Sequence, residues 1–202
     1  YATLGLGPDQ TQSGNFGVGM TVTGAGSTFT SALLTVAKSG RATVNIEDGA
    51  VVDSSRQAVI ADDYRSYGFV NVDGQGSEWR VGNVLTLGNY GTGQLRIGQG
   101  GLVRAQAVQL GWGFDGMRYG GGSVALQGTA GNRGVLETMF VFPGPGNASL
   151  LFDGGILRAT YSGINFMQGS MEPSIGAGGA FIDSNGYDVT IGGGMGATHG
   201  DA

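Results

Sequence analysis

The chain has 202 residues, including 43 glycines, 4 prolines and no cysteine, and a formal net charge of −5. With 40% hydrophobic and 12% charged residues it is too apolar for a disordered chain, and its glycines are too irregularly spaced for collagen. The composition also excludes the basic footprint of a nucleic-acid-binding protein, disulfides and thiolate metal sites, and no apolar run is long enough for a membrane-spanning helix.

Short alternating strands are predicted along the whole chain. Apolar residues recur at every second position and are soon followed by Gly, Asn or Asp, as in Met20/Val22, Val44/Ile46, Leu95/Ile97, Val124/Leu126, Leu150/Phe152 and Val189/Ile191. Period two turns one side of a strand inward. Helical spacing is not sustained anywhere, and each glycine inside a helix would cost about 1 kcal/mol. The chain is therefore predicted to be all-β with almost no α-helix.

The sequence repeats after about fifty residues. Residues 22–29 (VTGAGSTF) return at 72–79 as VDGQGSEW, and a looser third copy begins at Val124. Such repeats indicate a solenoid, whereas a β-propeller blade needs four antiparallel strands in a unit of roughly 40–45 residues. We expect coils of about 20–25 residues stacked at about 4.8 Å, about eight or nine in all. Phe29 and Trp79 hold equivalent positions and are predicted to fill the interior.

One domain is predicted for the whole chain, 1–202. Residues 1–16 form an irregular start or cap, 17–149 the repeat coils, 150–194 a C-terminal block and 195–202 a flexible tail. The sequence begins at Tyr1 without an initiator methionine or a basic-then-apolar leader. We therefore expect a piece of a longer protein.

Two motifs resemble known exported proteins. Residues 74–103 carry GxGSxW and then LTLGNxGxGxLxIxxGGxV. This string resembles the repeat shared by bacterial autotransporter (type V secreted) passenger domains and some sorting-signal exported proteins. Residues 151–159 (LFDGGILRA), 165–167 (NFM) and 178–191 (GGAFIDSNGYDVTI) also resemble passengers, toward their C-terminal part.

The passenger resemblance implies a right-handed parallel β-helix, exported through the periplasm and displayed at the cell surface or released. It implies a translocator barrel that follows this chain in the same polypeptide. It also implies a non-enzymatic role as a stalk, adhesin or host-factor-binding virulence module, whose partner is a host or cell-surface protein or a glycan.

A β-helical polysaccharide lyase or hydrolase is the alternative, because such enzymes act through clustered acids. Asp62 and Asp63 would point in two directions if extended, and Asp183 and Asp188 flank an Asn-Gly turn, where Asp typically binds its own backbone. The lone His199 lies in a glycine-rich tail, and no acid position recurs in successive copies. We expect no catalytic residue, no metal site and no cofactor.

The candidate functional residues lie where the copies differ in length. Residues 61–67 follow Ile60 and residues 111–119 follow the equivalent Leu110, and both insertions carry Asp, Arg and at least two aromatic residues. The repeat predicts that both loops emerge on the same side, about two coils apart. Tyr, Trp and Arg dominate protein interfaces. The predicted protein-binding patch comprises Tyr64, Arg65, Tyr67, Trp112, Phe114, Arg118 and Tyr119. Alternatively, the two loops pack on each other, with Arg across aromatic rings and paired to Asp.

Overall fold

The computed structural model describes residues 2–4, 17–113, 120–162, 164–168, 171, 173–192 and 194–197. These residues form twenty β-strands and no helix, so the described chain holds no helix capable of crossing a bilayer. The strands are β1 (Ala2–Leu4), β2 (Gly17–Thr23), β3 (Thr28–Val36), β4 (Arg41–Glu47), β5 (Val51–Ile60), β6 (Tyr67–Asp73), β7 (Glu78–Leu87), β8 (Thr92–Gly98), β9 (Leu102–Leu110), β10 (Gly121–Thr129), β11 (Asn132–Arg133), β12 (Val135–Thr138), β13 (Phe140–Pro143), β14 (Asn147–Asp153), β15 (Ile156–Ala159), β16 (Ile164–Met167), β17 (Ser174–Ile175), β18 (Phe181–Asp183), β19 (Val189–Ile191) and β20 (Gly196–Ala197).

The strands wind into a parallel β-solenoid of about seven turns. One sheet has the main order β1-β3-β5-β7-β9-β12-β15-β18 and the other β2-β4-β6-β8-β10-β14-β17-β20, so the chain visits both sheets in every turn. Each strand pairs in parallel with the strand one turn further on, and only the short β11 pairs antiparallel among the described strands. The predicted all-β solenoid is confirmed.

The cross-section has three faces because the long strands of the first sheet bend. Within β5 the residues Ser55, Arg56 and Gln57 are all exposed, which breaks the alternation and marks the bend. Further along, the two halves become separate strands, and both β12 and β13 pair with β9. We call the second sheet face 1, the first halves of the long strands with β12, β15 and β18 face 2, and the second halves with β1, β13, β16 and β19 face 3.

The fifty-residue repeat corresponds to two turns. In the strand register Phe29 pairs with Val52, and Val52 pairs with Trp79. Val70, Leu95 and Val124 are related in the same way, which confirms the third copy. Equivalent residues at the start of successive face 1 strands are 24 to 29 positions apart. The expected count of eight or nine coils is therefore too high, because the turns are near or above the upper end of the expected length.

Inward side chains stack into continuous columns. Trp79 is fully buried in the face 2 column, where its Nε1 donates a hydrogen bond to Ser54 Oγ at 3.2 Å. Phe29, two turns away, is partly buried against the same core. Burying one such side chain stabilises the fold by about 1.5–3 kcal/mol. The predicted interior position is thus confirmed for Trp79, and Phe29 packs against the same core.

The GxGS motif forms the corner between faces 1 and 2. Gly74 and Gly76 have φ of 93° and 83°, a conformation that glycine adopts without strain. The N–H of Ser77 donates to the carbonyl of Gly74 at 3.1 Å, and Ser77 Oγ accepts from the N–H of Gly49 at 3.0 Å. The motif therefore closes one turn and binds it to the previous one.

Both ends of the described chain carry short strands where the sequence predicted an irregular start and a flexible tail. Ala2–Leu4 form β1 and pair with β3, and Gly196–Ala197 form β20 and pair with β17.

Candidate functional site

The two inserted loops lie on the same corner of the solenoid, between faces 3 and 1. Residues 37–40, 61–66, 88–91 and 111–113 with 120 follow face 3 on successive turns, and we call this stack the aromatic corner; residues 114–119 lie outside the described residues. Backbone hydrogen bonds connect its turns: Tyr90 N donates to Asp62 O at 3.0 Å, and Trp112 N to Gly88 O at 3.1 Å. The two insertions are therefore two turns apart, as the repeat predicts, with a shorter loop between them.

Each of three successive turns presents an aromatic ring at the aromatic corner. Tyr64 is 44% exposed, Tyr90 39% and Trp112 50%, and we call these three residues the aromatic row. The Arg65 guanidinium lies 5.1 Å from the ring centroid of Tyr64, within cation–π range. Among the described residues, the loop with Tyr90 lies between the two insertions. Residues 114–119 of the second insertion lie outside the described residues, so the alternative of two loops packing on each other stays a prediction.

The structure divides the predicted patch. Tyr64, Arg65 and Trp112 lie on the aromatic corner. Tyr67 instead begins β6 on face 1, where it is half-buried and its hydroxyl donates to Gln94 Oε1 at 2.6 Å. Phe114, Arg118 and Tyr119 lie outside the described residues.

Tyr90 belongs to the row but was not predicted. The sequence argument considered only loops in which the copies differ in length, and the loop 88–91 has no insertion. The signal was available: Tyr90 follows Leu87, the last residue of a face 3 strand, just as the two predicted loops follow Ile60 and Leu110. Position at the corner, and not loop length, identifies the row.

A polar ladder supports the aromatic corner. Lys38 Nζ lies 2.6 Å from Asp62 Oδ2 and 3.5 Å from Asp63 Oδ1, and Asn89 Nδ2 donates to Asp62 Oδ1 at 2.8 Å. The hydrogen bond with Asp62 raises the pKa of Lys38. Asp62 and Asp63 were expected to diverge if extended, but the chain bends here and both approach Lys38. The ladder connects three turns of the aromatic corner.

A second column of side chains runs along the outside of face 2. Its members pair in register from turn to turn, and we call them the charged row: Asp53, Arg80, Arg104, Glu137, Arg158 and Asp183. Glu137 binds Arg104 at 2.6 Å and Arg158 at 2.9 Å, and Arg158 binds Asp183 at 2.7 Å. Opposite charges on neighbouring turns thus link four successive strands.

Glu78 resolves the one like-charge contact in the charged row. Arg80 and Arg104 are direct neighbours across β7 and β9, which would be unfavourable alone. Glu78 lies two residues before Arg80 and projects from the same side of the strand. Its Oε2 lies 2.5 Å from Arg80 Nη2, and its Oε1 lies 2.6 Å from Arg104 Nη1. One carboxylate therefore neutralises both guanidinium groups.

Two carboxyl groups of the charged row are more acidic than usual. Burial acts to raise the pKa of Glu137, but hydrogen bonds from Arg104 and Arg158 outweigh it and lower the pKa. The hydrogen bond from Arg158 lowers the pKa of Asp183, helped by the backbone N–H of Asn185. That N–H donates to Asp183 Oδ1 at 2.8 Å, which is the local backbone bond predicted for this turn.

The charged row was missed because the sequence argument looked for acids that recur at one position. Acids and arginines instead alternate there, and each follows an interior residue, as in Trp79-Arg80, Leu136-Glu137 and Leu157-Arg158. An apolar residue followed by a charge, once per turn, was the available signal. Within the described ranges, no three His, Cys, Asp or Glu side chains are grouped so as to hold a metal ion.

Comparison with known proteins finds no matching family model, curated protein or solved structure.

Proposed function

We propose that this chain is a non-enzymatic segment of an exported bacterial autotransporter passenger. In this proposal it reaches the cell surface or the medium through the periplasm, ahead of a translocator barrel of the same polypeptide. It acts there as a stalk that also carries an adhesive or host-factor-binding patch. The parallel solenoid supports the proposal, because that is the fold which the resemblance of residues 74–103 and 151–191 implies.

The observation that carries the binding role is the aromatic row. Large aromatic side chains bury well in this fold, as Trp79 does, yet Tyr64, Tyr90 and Trp112 protrude on three consecutive turns. Rings repeated once per turn form a strip with a spacing of about 4.8 Å between turns. Tyrosine and tryptophan are enriched at the centres of protein interfaces. The strip therefore suits a protein partner that lies along the solenoid axis.

The pairing of the face 2 acids supports a non-enzymatic role over a polysaccharide lyase or hydrolase. Such enzymes need a carboxyl group poised to transfer a proton or attack a sugar. Glu78, Glu137 and Asp183 each bind at least one arginine side chain instead. Carboxylates that are bound to arginine in this way suit structural cross-links between turns.

Binding to purified serum and matrix proteins tests the proposal. The triple variant Tyr64→Ala, Tyr90→Ala, Trp112→Ala is expected to lose a partner that the unaltered chain binds, because it removes all three rings. Tyr161→Ala with Tyr187→Ala is the matched control, since these rings are 52% and 39% exposed at the corner between faces 2 and 3. Equal binding by the triple variant and the control would contradict the assigned patch.

A further inference from the structure

Face 1 has a hollow where its outward side chains become small. On β10 the outward residues are Gly121, Ser123 and Ala125. In the strand register they lie between Thr92, Gln94 and Arg96 of β8, which are all larger, and Asn147, Ser149 and Leu151 of β14, of which Asn147 and Leu151 are larger and Ser149 is equal in size to Ser123. Two adjoining cavities of about 280 Å³ each lie in this hollow, and both are lined by Gln94, Ser123 and Ser149. Ligand pockets for small molecules begin at roughly 300 Å³, so together the cavities reach that size.

An aromatic wall bounds the hollow on its N-terminal side. Tyr67 and Phe69 project outward from β6, in register with Thr92 and Gln94. Phe69 lines one of the two cavities directly. The Tyr67 hydroxyl donates to Gln94 Oε1 at 2.6 Å, which orients the amide and leaves its NH₂ group as the donor at the other end. The hollow thus has an apolar ring at one edge and an oriented donor beside it.

Uncharged polar side chains line the hollow. Among the described residues, no side-chain hydrogen bond involves the hydroxyls of Thr92, Ser123 and Ser149 or the amide of Asn147. Each of these hydroxyl and amide groups can both donate and accept hydrogen bonds, and all of them are uncharged. They suit a ligand that offers many hydroxyl groups.

The hollow also lacks an available charge. Among the described lining residues only Arg96 is charged, and its guanidinium lies 3.5 Å from the Asp73 carboxylate. Arg96 also donates to Asn71 Oδ1 at 2.9 Å and to Gln127 Oε1. Since its guanidinium is already neutralised and hydrogen-bonded, an anionic ligand gains little there. The chain as a whole carries a net charge of −5, which further disfavours anions.

We propose that the face 1 hollow binds a neutral glycan of more than one sugar unit, with one hexose ring against Phe69 and hydroxyl groups along the glycan hydrogen-bonded to Gln94, Ser123, Asn147 and Ser149. A pyranose combines an apolar C–H face with a rim of hydroxyl groups, which matches an aromatic wall beside an uncharged polar floor. The inference rests on the proposed surface role and deepens it, because it names a ligand class and a site distinct from the aromatic row.

Immobilised neutral oligosaccharides of glucose, galactose and mannose, with sialylated and sulfated chains of equal length, provide the test. We expect binding to at least one neutral series and weaker binding to the acidic chains. Ser123→Phe fills the hollow and is expected to weaken binding by about tenfold or more. Thr21→Phe is the matched control, an exposed position on the same face four strands away. Phe69→Ala, which removes the wall without filling the hollow, is expected to weaken binding as well.

The proposal is overturned if no neutral chain binds, if acidic chains bind better, or if Ser123→Phe binds as the unaltered chain does. The aromatic-row triple variant separates it from the proposed function, because that variant should keep glycan binding while losing the protein partner. Release of new reducing ends from a bound glycan would contradict the non-enzymatic role, yet leave the hollow as the binding site.

Discussion

The two tryptophans of this chain occupy opposite regions of the solenoid. Trp79 is 0% exposed in the column beneath face 2, whereas Trp112 is 50% exposed on the aromatic corner. Trp79 is enclosed by the turns before and after it, where Val52 and Val103 stack on either side. Trp112 lies outside the strand ladder, in a loop that only has to close its turn. The comparison teaches that the inward columns of the strands bury aromatic rings, while the corners leave them exposed.

The largest expected effect comes from emptying the interior. Trp79→Ala should lower the free energy of unfolding by about 3–5 kcal/mol, because it leaves a cavity in a packed column. The Ser54 hydroxyl would also lose its hydrogen-bond donor. Urea unfolding followed by circular dichroism measures this. Trp112→Ala is the matched control and should change stability by no more than about 0.5 kcal/mol. Similar losses in both variants would refute the division between column and corner.

Adjacent glycines at the start of β10 sharpen the comparison within one strand. A Cβ on Gly122 would lie 2.4 Å from the carbonyl oxygen of Leu87, whereas a Cβ on Gly121 meets only Thr92 Oγ1, at 3.9 Å. Gly122→Ala should therefore cost about 1–3 kcal/mol through overpacking of the backbone. Gly121→Ala, which points outward, should be close to neutral. The midpoints of thermal unfolding distinguish them, and the reverse order would mean that the inward assignment is incorrect.

Acid should weaken the charged row on face 2. The pKa values of Glu137 and Asp183 are lower in the folded chain than in the unfolded chain, so the folded state binds fewer protons. Their contribution is complete above the unfolded values of about 4.3 and 3.9 and is lost as the pH falls through the folded values. Stability should thus decline below about pH 4.5.

Glu137→Gln tests the acid effect with nearly the same side-chain shape. At pH 7 it should cost about 1–2 kcal/mol, since Arg104 and Arg158 lose a charged acceptor. The fall in unfolding midpoint between pH 7 and acid should be smaller in this variant than in the unaltered chain. An identical fall would show that the charged row does not contribute to the acid sensitivity.

Much of the fold followed from local patterns, but the candidate site followed only in part. Period-two alternation and the match between residues 22–29 and 72–79 predicted the strands, the two-turn repeat and the burial of Trp79. The same repeat correctly brought the two inserted loops to one corner. It did not separate Tyr67 from that corner, because one residue decides whether a ring belongs to a loop or to the outward side of β6. It also passed over Tyr90, whose loop has ordinary length.

The sequence by itself determined that this protein is a parallel solenoid, because glycine-rich corners and alternating strands recur along the chain and can bury their apolar side only by stacking. Only the tertiary structure decided which outward side chains meet. Successive members of the charged row are 21 to 33 residues apart, so no fixed spacing identifies them. The hollow on face 1 likewise depends on the register of β8, β10 and β14, since a side chain is small only in relation to its neighbours on the adjacent turns.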